Sequence, residues 1–453
     1  MNKADIEFPR GGIDSGKIIR KIRENLKKRR GEHGDNVQNL ASLERGEEHV
    51  VHGKSMSRNL VEYQGLIQRG LRKYIEPVFI TPLELEAPSK KKRQKLQVHQ
   101  LHPTAFCGDA IGNDMLEICR VLRSYGYNSD IYSKHIDPRL SKIVKDYHEY
   151  RKISSPDNIL VVHYSTGYGQ DIFDFIKSLP DKKVLIYHKT TPPRYFADYN
   201  DSLAALSQKG LEQITNFKGM VIAAWADSEY NRKELERFGF SRTDVLPIIM
   251  NFKKFRDLNR RIYEKFNDGK INIIFVGRIA PNKKIEDLIL VFYYYYNYIN
   301  TNSRLIIVGS DSGLETYHRK LNSLIKNMKL EGKVVFTGKV PDEDLSAYYR
   351  AATNFICMSE HEGFCIPIVE AMFFKIPVIA YNSTAVPYTL GNAGVLVNKK
   401  DYLEIAELIN VINSDTKLKN ALIRNQNARL TDFSHEKTTR KLVKLVNQVG
   451  RSK

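Results

Sequence analysis

Met358-Ser359-Glu360-His361-Glu362-Gly363-Phe364-Cys365-Ile366-Pro367-Ile368-Val369-Glu370-Ala371-Met372 follows directly on the apolar run Asn354-Phe355-Ile356-Cys357. Read forward, this is a strand that ends near Met358, a short loop holding Gly363, and a helix that begins near Pro367. Proline suits a first helical turn, where its missing N–H costs nothing. The loop before it presents free backbone N–H groups, and the helix dipole adds positive potential. Such a junction favours a phosphate or a developing anion. Glu362 and Glu370 flank it, and carboxylates accept well from vicinal hydroxyls such as those of a sugar or a ribose. Capping of the dipole would explain either glutamate alone. The embedding Glu-Gly-Phe-x-x-Pro-x-x-Glu-Ala-Met is far more specific than the pair.

The segments around this stretch alternate in the same way. Asn272–Gly277, Arg304–Gly309 and Val334–Gly338 read as strands ending in glycine, and Pro377–Ala380 as another, with helices between. Glycines at three strand ends point to backbone crowded by a ligand at the carboxyl edge of the sheet, although a simple turn explains any one of them. Phe292-Tyr293-Tyr294-Tyr295-Tyr296 falls in a helix, which spreads the rings around its axis as packing and amphipathic surface. Earlier in the chain, Leu96–Leu101, Asn128–Tyr132, Ile159–His163, Lys183–His188 and Val221–Trp225 read as strands. Asp114–Tyr125 reads as a helix closed by Gly126. Strand–helix alternation repeated twice predicts an α/β chain with two doubly wound, Rossmann-like units. The boundaries are about 96–257 for the first and 258–434 for the second, with a helix near 435–453 free to return to the first.

Residues 1–95 differ. Ile18, Ile19, Ile22 and Leu26 recur at helical spacing among Arg20, Lys21, Arg23, Lys27, Lys28, Arg29 and Arg30. A second stripe joins Leu60, Tyr63, Leu66, Ile67, Leu71 and Tyr74, and Lys90-Lys91-Lys92-Arg93 closes the block. A basic amphipathic helix can lie on an anionic membrane, or pack on the body with its charges in water. The formal net charge of +19 over 453 residues favours anionic partners in either case. No zinc-finger spacing or RNP-like motif supports nucleic acid. No apolar run reaches the length of a membrane span, the first residues carry no apolar leader, and the four cysteines show no Cys-x-x-Cys pair. The expected location is the cytoplasm, with peripheral contact at the inner face of the plasma membrane if residues 1–95 meet lipid.

A second constellation, Phe275-Val276-Gly277-Arg278-Ile279-Ala280-Pro281-Asn282-Lys283-Lys284, places Arg278 and Lys283 at a strand edge, where two cations could neutralise a diphosphate. Taken alone it reads equally as a solvated basic turn. Phe106-Cys107-Gly108-Asp109-Ala110-Ile111-Gly112-Asn113-Asp114 is a weak glycine signal opening a helix.

Together these stretches resemble the retaining GT-B glycosyltransferases of family 4 (group 1), over roughly 96–440 and more weakly in the first half. The resemblance implies two Rossmann-like domains facing across a cleft and transfer of a sugar from a nucleoside diphosphate to an acceptor hydroxyl. It implies diphosphate contacts from Gly277, Arg278 and Lys283, a sugar contact from Glu362, and ribose contacts from Glu370. Backbone of Gly363, Phe364, Cys365 and Ile366 would meet sugar and phosphate. Lys339 and Val340 would meet the base, and Gly108 and Asp109 the phosphates from the facing domain. His188, in Tyr187-His188-Lys189-Thr190-Thr191-Pro192-Pro193, matches a segment where a histidine lies near the sugar, with His163 as runner-up. Arg278, Lys283, Glu362 and His188 are the expected catalytic set. No metal and no cofactor beyond the nucleotide sugar is expected. The acceptor would be a glycan or a lipid-linked glycan, as in surface polysaccharide synthesis. Three positions depart from the pattern: Cys365 and Lys284 stand for glycines and Asn282 for a glutamate, and a side chain at 365 is expected to narrow the sugar pocket. Two rivals share the architecture: a sugar-nucleotide epimerase and a catalytically inactive, membrane-docked assembly protein.

Overall fold

A computed structural model of the protein describes residues 5–9, 13–33 and 96–452. Strand β1 (Ile6–Glu7) belongs to the second of two seven-stranded sheets. The first sheet contains β2 (Val98–Ala105), β3 (Ile131–Ile136), β4 (Val144–Asp146), β5 (Ile159–Tyr164), β6 (Lys182–Tyr187), β7 (Val221–Ala226) and β8 (Thr243–Val245). Its order is β4-β3-β2-β5-β6-β7-β8, all parallel. The second sheet adds β9 (Ile271–Val276), β10 (Ser303–Val308), β11 (Val334–Gly338), β12 (Asn354–Cys357), β13 (Val378–Tyr381) and β14 (Val395–Val397). Its order is β1-β14-β13-β12-β9-β10-β11, parallel except for β1. Central strands such as Ile159–Tyr164 are buried along their whole length, as expected of parallel strands covered on both faces.

Two helix starts and the N-terminal block differ from the sequence reading. The helix expected from Asp114 begins four residues earlier, as Ala110–Ser124, because the Asp109 carboxylate accepts from the Gly112 N–H and caps it. The helix expected near Pro367 runs Ile366–Phe373. The helix Ser15–His33 is no separate extension. Its Ile18, Ile22 and Leu26 are buried in the core of the second sheet's domain, and β1 pairs with β14 just before it. Asn25 and Arg29 both reach Glu407, a fully buried carboxylate on the helix Tyr402–Ser414, with Arg29 Nε 2.8 Å from it. Each buried aliphatic side chain is worth about 1.5–3 kcal/mol, against about 1 kcal/mol per cation at an anionic membrane. The apolar face therefore stays on the protein, and only the basic face is exposed. The stripe at 60–74 and the run at 90–93 lie outside the described residues.

At the other end, Leu442, Leu445, Val446 and Val449 of the helix His435–Arg451 pack against Val98, Ile118, Val184 and Trp225 of the first domain. Besides passing from the second domain to the first between residues 33 and 96, the chain crosses between domains near 250 and near 430. Ile248, Met250, Phe364, Val369 and Phe433 form a shared apolar cluster at those crossings. Among the described residues no helix is long and apolar enough to cross a membrane.

Candidate active site

The second sheet changes direction between β12 and β9, which are neighbours although far apart in sequence. Loops leaving two such strands diverge to opposite faces and open a crevice at the carboxyl edge. Those loops are the two stretches singled out from the sequence. Asn282 sutures them: its Nδ2 donates to His361 O at 3.0 Å and its carbonyl accepts from the Glu360 N–H at 2.9 Å. Lys283, in the short turn Pro281–Lys283, then lies 2.6 Å from Glu362 Oε2. Burial works most strongly against the Lys283 charge, but Glu362, joined by Cys365 and Cys357, outweighs it and holds the ammonium above the ordinary lysine value. Glu362 is fixed by Thr384, whose Oγ1 accepts from its N–H at 2.9 Å and donates to its carbonyl at 3.0 Å. Arg278 Nη2 donates to Ser312 O at 2.9 Å from the same edge.

Glu370 sits one turn into the helix Ile366–Phe373 and is buried. Its Oε1 accepts from Lys254 Nζ at 2.6 Å and its Oε2 from the Tyr349 hydroxyl at 2.9 Å. A carboxylate has lone pairs for further hydroxyls. Phe364 packs edge-to-face on Phe433 and Ile366 lies half-buried beside it, which anchors the loop they frame.

The departures at 365 and 284 acquire a physical meaning. Cys365 has φ 69° and ψ 63°, and Lys284 φ 52° and ψ 55°, both left-handed. That conformation costs an L-residue roughly 1–2 kcal/mol, so glycine is the natural occupant. The Cys365 side chain does not narrow the crevice as expected. It turns into the core, with Sγ 3.9 Å from Cys357 Sγ. Of the strand-end glycines, Gly309 is explained within the protein. A Cβ on Gly309 would lie 1.8 Å from Gly277 O, so neighbouring backbone crowds that position, and one on Gly338 would meet nothing within 4 Å.

The first sheet's carboxyl edge faces this crevice. Lys339 Nζ crosses to donate to Cys107 O at 2.7 Å and lies over Gly108, so the Lys339 side chain spans the cleft. Val340 packs on the second domain. Asn231 Nδ2 reaches Gly363 O at 3.2 Å and Asp227 Oδ1 at 2.6 Å. A Cβ on Gly363 would come within 2.6 Å of the His188 carbonyl oxygen. The His188 side chain is buried; burial opposes its charge, but Asp227, Asp114 and Asp109 together lift it above the ordinary imidazole value. Asp114, also buried, is pushed up to about 6, chiefly by burial. His102 Nε2, Asp114 Oδ1, Thr190 Oγ1, Asn231 Oδ1 and His361 Nε2 are buried without a hydrogen-bond partner on the protein. Orphaned polar atoms in a protein interior are costly.

The structure therefore brings Arg278, Lys283, Glu362, Gly363 and His188 to one crevice, with Glu370 behind it and Gly108, Asp109 and Lys339 at its far side. Asn282, Thr384, Tyr349, Lys254 and Asn231 escape a reading of the sequence, since each acts through a residue distant along the chain. Among the described residues, two buried groups combine metal-ligand side chains: Asp114, His163 and His188, and Cys357, Glu362 and Cys365. In the first, both His163 nitrogens are engaged by His188 and Gln100. In the second, the Lys283 ammonium already stands against Glu362.

Residues 256–429 match the family model of glycosyl transferases group 1. A 170-residue stretch is 31% identical to an O-antigen chain mannosyltransferase B of Escherichia coli, covering 37% of this chain and 43% of that one. The chain spans less than half the length of the first curated relatives it matches. Sucrose-phosphate synthase from Thermosynechococcus elongatus superposes with a TM-score of 0.64 at 18% identity, over 78% of this chain and 99% of that one. Anabaena Alr3699/HepE, solved with UDP and glucose, gives 0.62 at 17% identity, over 78% and 100%. Residues 256–429 are thus similar to a group 1 glycosyltransferase domain, in a chain with the two-domain GT-B fold.

Proposed function

We propose that this protein transfers a hexose from a nucleoside-diphosphate donor to an acceptor hydroxyl, with retention at the anomeric carbon as in family 4, in the synthesis of a surface polysaccharide or related glycan. The observation that carries the reading is the meeting of Arg278, Lys283 and Glu362 at the sheet's direction change, opposite His188. Arg278, Lys283 and the N-terminus of the helix Ile366–Phe373 face the charge that grows on the departing diphosphate. Glu362 holds a donor-sugar hydroxyl, Glu370 the ribose, and the backbone near Lys339 and Val340 the base. The acceptor oxygen bonds to the anomeric carbon as the bond to the diphosphate breaks, and its proton passes to a diphosphate oxygen. His188 orients the sugar or shares transition-state charge. The diphosphate is neutralised by side chains, so the reaction is proposed to proceed without a metal. GDP-mannose and UDP-hexoses are the donors to try, since an O-antigen mannosyltransferase and a UDP-bound neighbour stand among the similar proteins.

The test is incubation with a panel of nucleotide sugars, with and without lipid-linked glycan acceptors and with EDTA. Acceptor-dependent release of the nucleoside diphosphate, insensitive to EDTA, is the expected result. Isomerised donor without acceptor would favour an epimerase. Intact in-cell function in Arg278→Ala and Glu362→Ala would favour a non-catalytic assembly role.

A further inference from the structure

On three adjacent strands of the first sheet, one face turns from apolar to polar at the carboxyl end. The side chains are Val98, Gln100 and His102 on β2, Ile159, Val161 and His163 on β5, and Val184 and Ile186 on β6 followed by His188. The apolar members share one core cluster with the helix His435–Arg451. The polar members include a buried chain in which the direction of each hydrogen bond can be worked out.

Gln100 Nε2 lies 2.9 Å from Met115 O, which can only accept, so the amide nitrogen is fixed there and Oε1 faces the other way. Oε1 also only accepts, so His163 Nε2, 2.9 Å from it, donates. His163 is neutral: burial disfavours its charge, and His188 and His102 add to that. With its proton on Nε2, His163 keeps a lone pair on Nδ1. The 2.9 Å contact between His163 Nδ1 and His188 Nε2 is therefore donated by His188. The two rings are parallel to within 6°. His188 Nδ1 is left on the other side, 3.8 Å from Asp227 Oδ2.

We propose that Gln100 and His163 are positioning residues that fix the tautomer of His188. They commit its Nε2–H to the interior, so that only Nδ1, beside Asp227, gains and loses a proton. His188 then serves sugar transfer through its charge and its placement, and Nε2 is never a base for the acceptor. The role rests on the proposed transfer reaction; the tautomer assignment does not. The charged and titratable groups facing His188 are His102 from β2, His163 from β5, Asp109 and Asp114 from the start of the helix Ala110–Ser124, and Asp227 after β7, while Lys189, next in the chain, turns its ammonium to Glu234.

The experiment uses the full chain with 15N-labelled histidine, compared with His163→Asn, His163→Leu and Gln100→Leu. Asn offers an oxygen near the place of Nδ1, whereas Leu offers none. In the wild type, His188 Nε2 is expected to stay protonated across the titration while Nδ1 alone changes. His163→Leu strands a buried N–H and should lower the His188 pKa by about one unit. It should reduce turnover roughly tenfold, with the donor KM within about twofold of wild type. His163→Asn should restore both. Trp225, the single tryptophan and buried in this domain, reports whether each variant is folded. A wild-type spectrum with the proton on His163 Nδ1, or equal behaviour of the Asn and Leu variants, overturns the proposal. If no sugar transfer is found with any donor, the titration alone still decides the tautomer and only the transfer reading fails.

Discussion

Replacing Glu362 by Gln keeps the side-chain shape and removes one charge from a buried pair. Lys283 Nζ and Glu362 Oε2 are 2.6 Å apart, with 19% and 9% of the side chains exposed. At that separation the attraction is about 6 kcal/mol for an effective dielectric constant of about 20. Desolvation of the two ions offsets several kcal/mol of it, and deleting one partner of such a pair typically costs about 3–5 kcal/mol. The glutamine oxygen and the partial exposure of Lys283 reduce the loss to about 2–3 kcal/mol, or about 4–12 °C in the unfolding midpoint. Ligand binding should move the other way. Arg278, Lys283 and Glu362 carry one net positive charge between them, and the variant carries two. A nucleoside diphosphate should therefore bind at least as tightly, up to about tenfold tighter. Transfer should fall between tenfold and roughly 100-fold, the worth of a charged acceptor on a sugar hydroxyl at about 1.5–3 kcal/mol. Calorimetric titration with nucleoside diphosphates and steady-state transfer assays separate the two effects. If nucleotide affinity falls in step with turnover, Glu362 is a structural carboxylate and the assignment is wrong.

Four further outcomes rest on contacts in the same structure. Gly363→Ala would set a Cβ 2.6 Å from the His188 carbonyl, a backbone atom that cannot swing aside, so the domains should be held apart. Scattering should show a larger radius of gyration, with transfer lost and nucleotide binding to the second domain retained. Arg29→Ala leaves Glu407 buried and unpaired except for Asn25 and Asn410, and should cost about 3–5 kcal/mol. Charge reversal at exposed Arg20 and Lys27 should cost under about 0.5 kcal/mol. Chemical denaturation checks both, and liposome flotation of the reversal variant asks whether the basic face meets lipid while sparing the apolar face. Acid should unfold the first domain early. His99 and His102 are held down to about 4, in each case chiefly by burial. Their folded values lie below the unfolded value of about 6.5, so the stability they contribute is present above 6.5 and lost as pH falls through 4. Each accounts for at most about 3 kcal/mol. Trp225 fluorescence should show the denaturation midpoint dropping from pH 6.5 downward, and His102→Asn should flatten that fall.

Strand–loop–helix periodicity carried most of the architecture, because the parallel strands hold runs such as Leu305-Ile306-Ile307-Val308, apolar throughout and closed by a turn residue. Boundaries moved by one to four residues where a cap decided them, as Asp109 did. The three-residue strands β4, β8 and β14 are too short for a period to show. The assignment of Ser15–His33 to the second domain was illegible for another reason. Its apolar stripe fits a membrane or a protein equally, and what decides between them, the core that covers Ile18, Ile22 and Leu26 and the buried Glu407 that receives Arg29, lies hundreds of residues later. In the site, Glu362, Glu370, Arg278 and Lys283 were legible because local motifs place them. The histidine row was visible in part: His163 and His188 each follow apolar residues on the same face of their strands, whereas His102 follows Gln100 and carried no such signal. Their linkage through Gln100 depends on lateral register between strands, which sequence spacing within one strand does not encode.

Everything proposed for catalysis depends on one crevice, at the direction change of the second sheet, holding the nucleotide of a sugar donor. Equilibrium titration of the full chain with nucleoside diphosphates, in parallel with Arg278→Ala and Glu370→Ala, decides whether it does. The expected result is saturable one-to-one binding of one nucleotide, weakened roughly tenfold or more in each variant, as for loss of a charge-assisted contact to phosphate and to ribose. Binding that ignores both substitutions, or no binding of any nucleoside diphosphate or nucleotide sugar by folded protein, would contradict it.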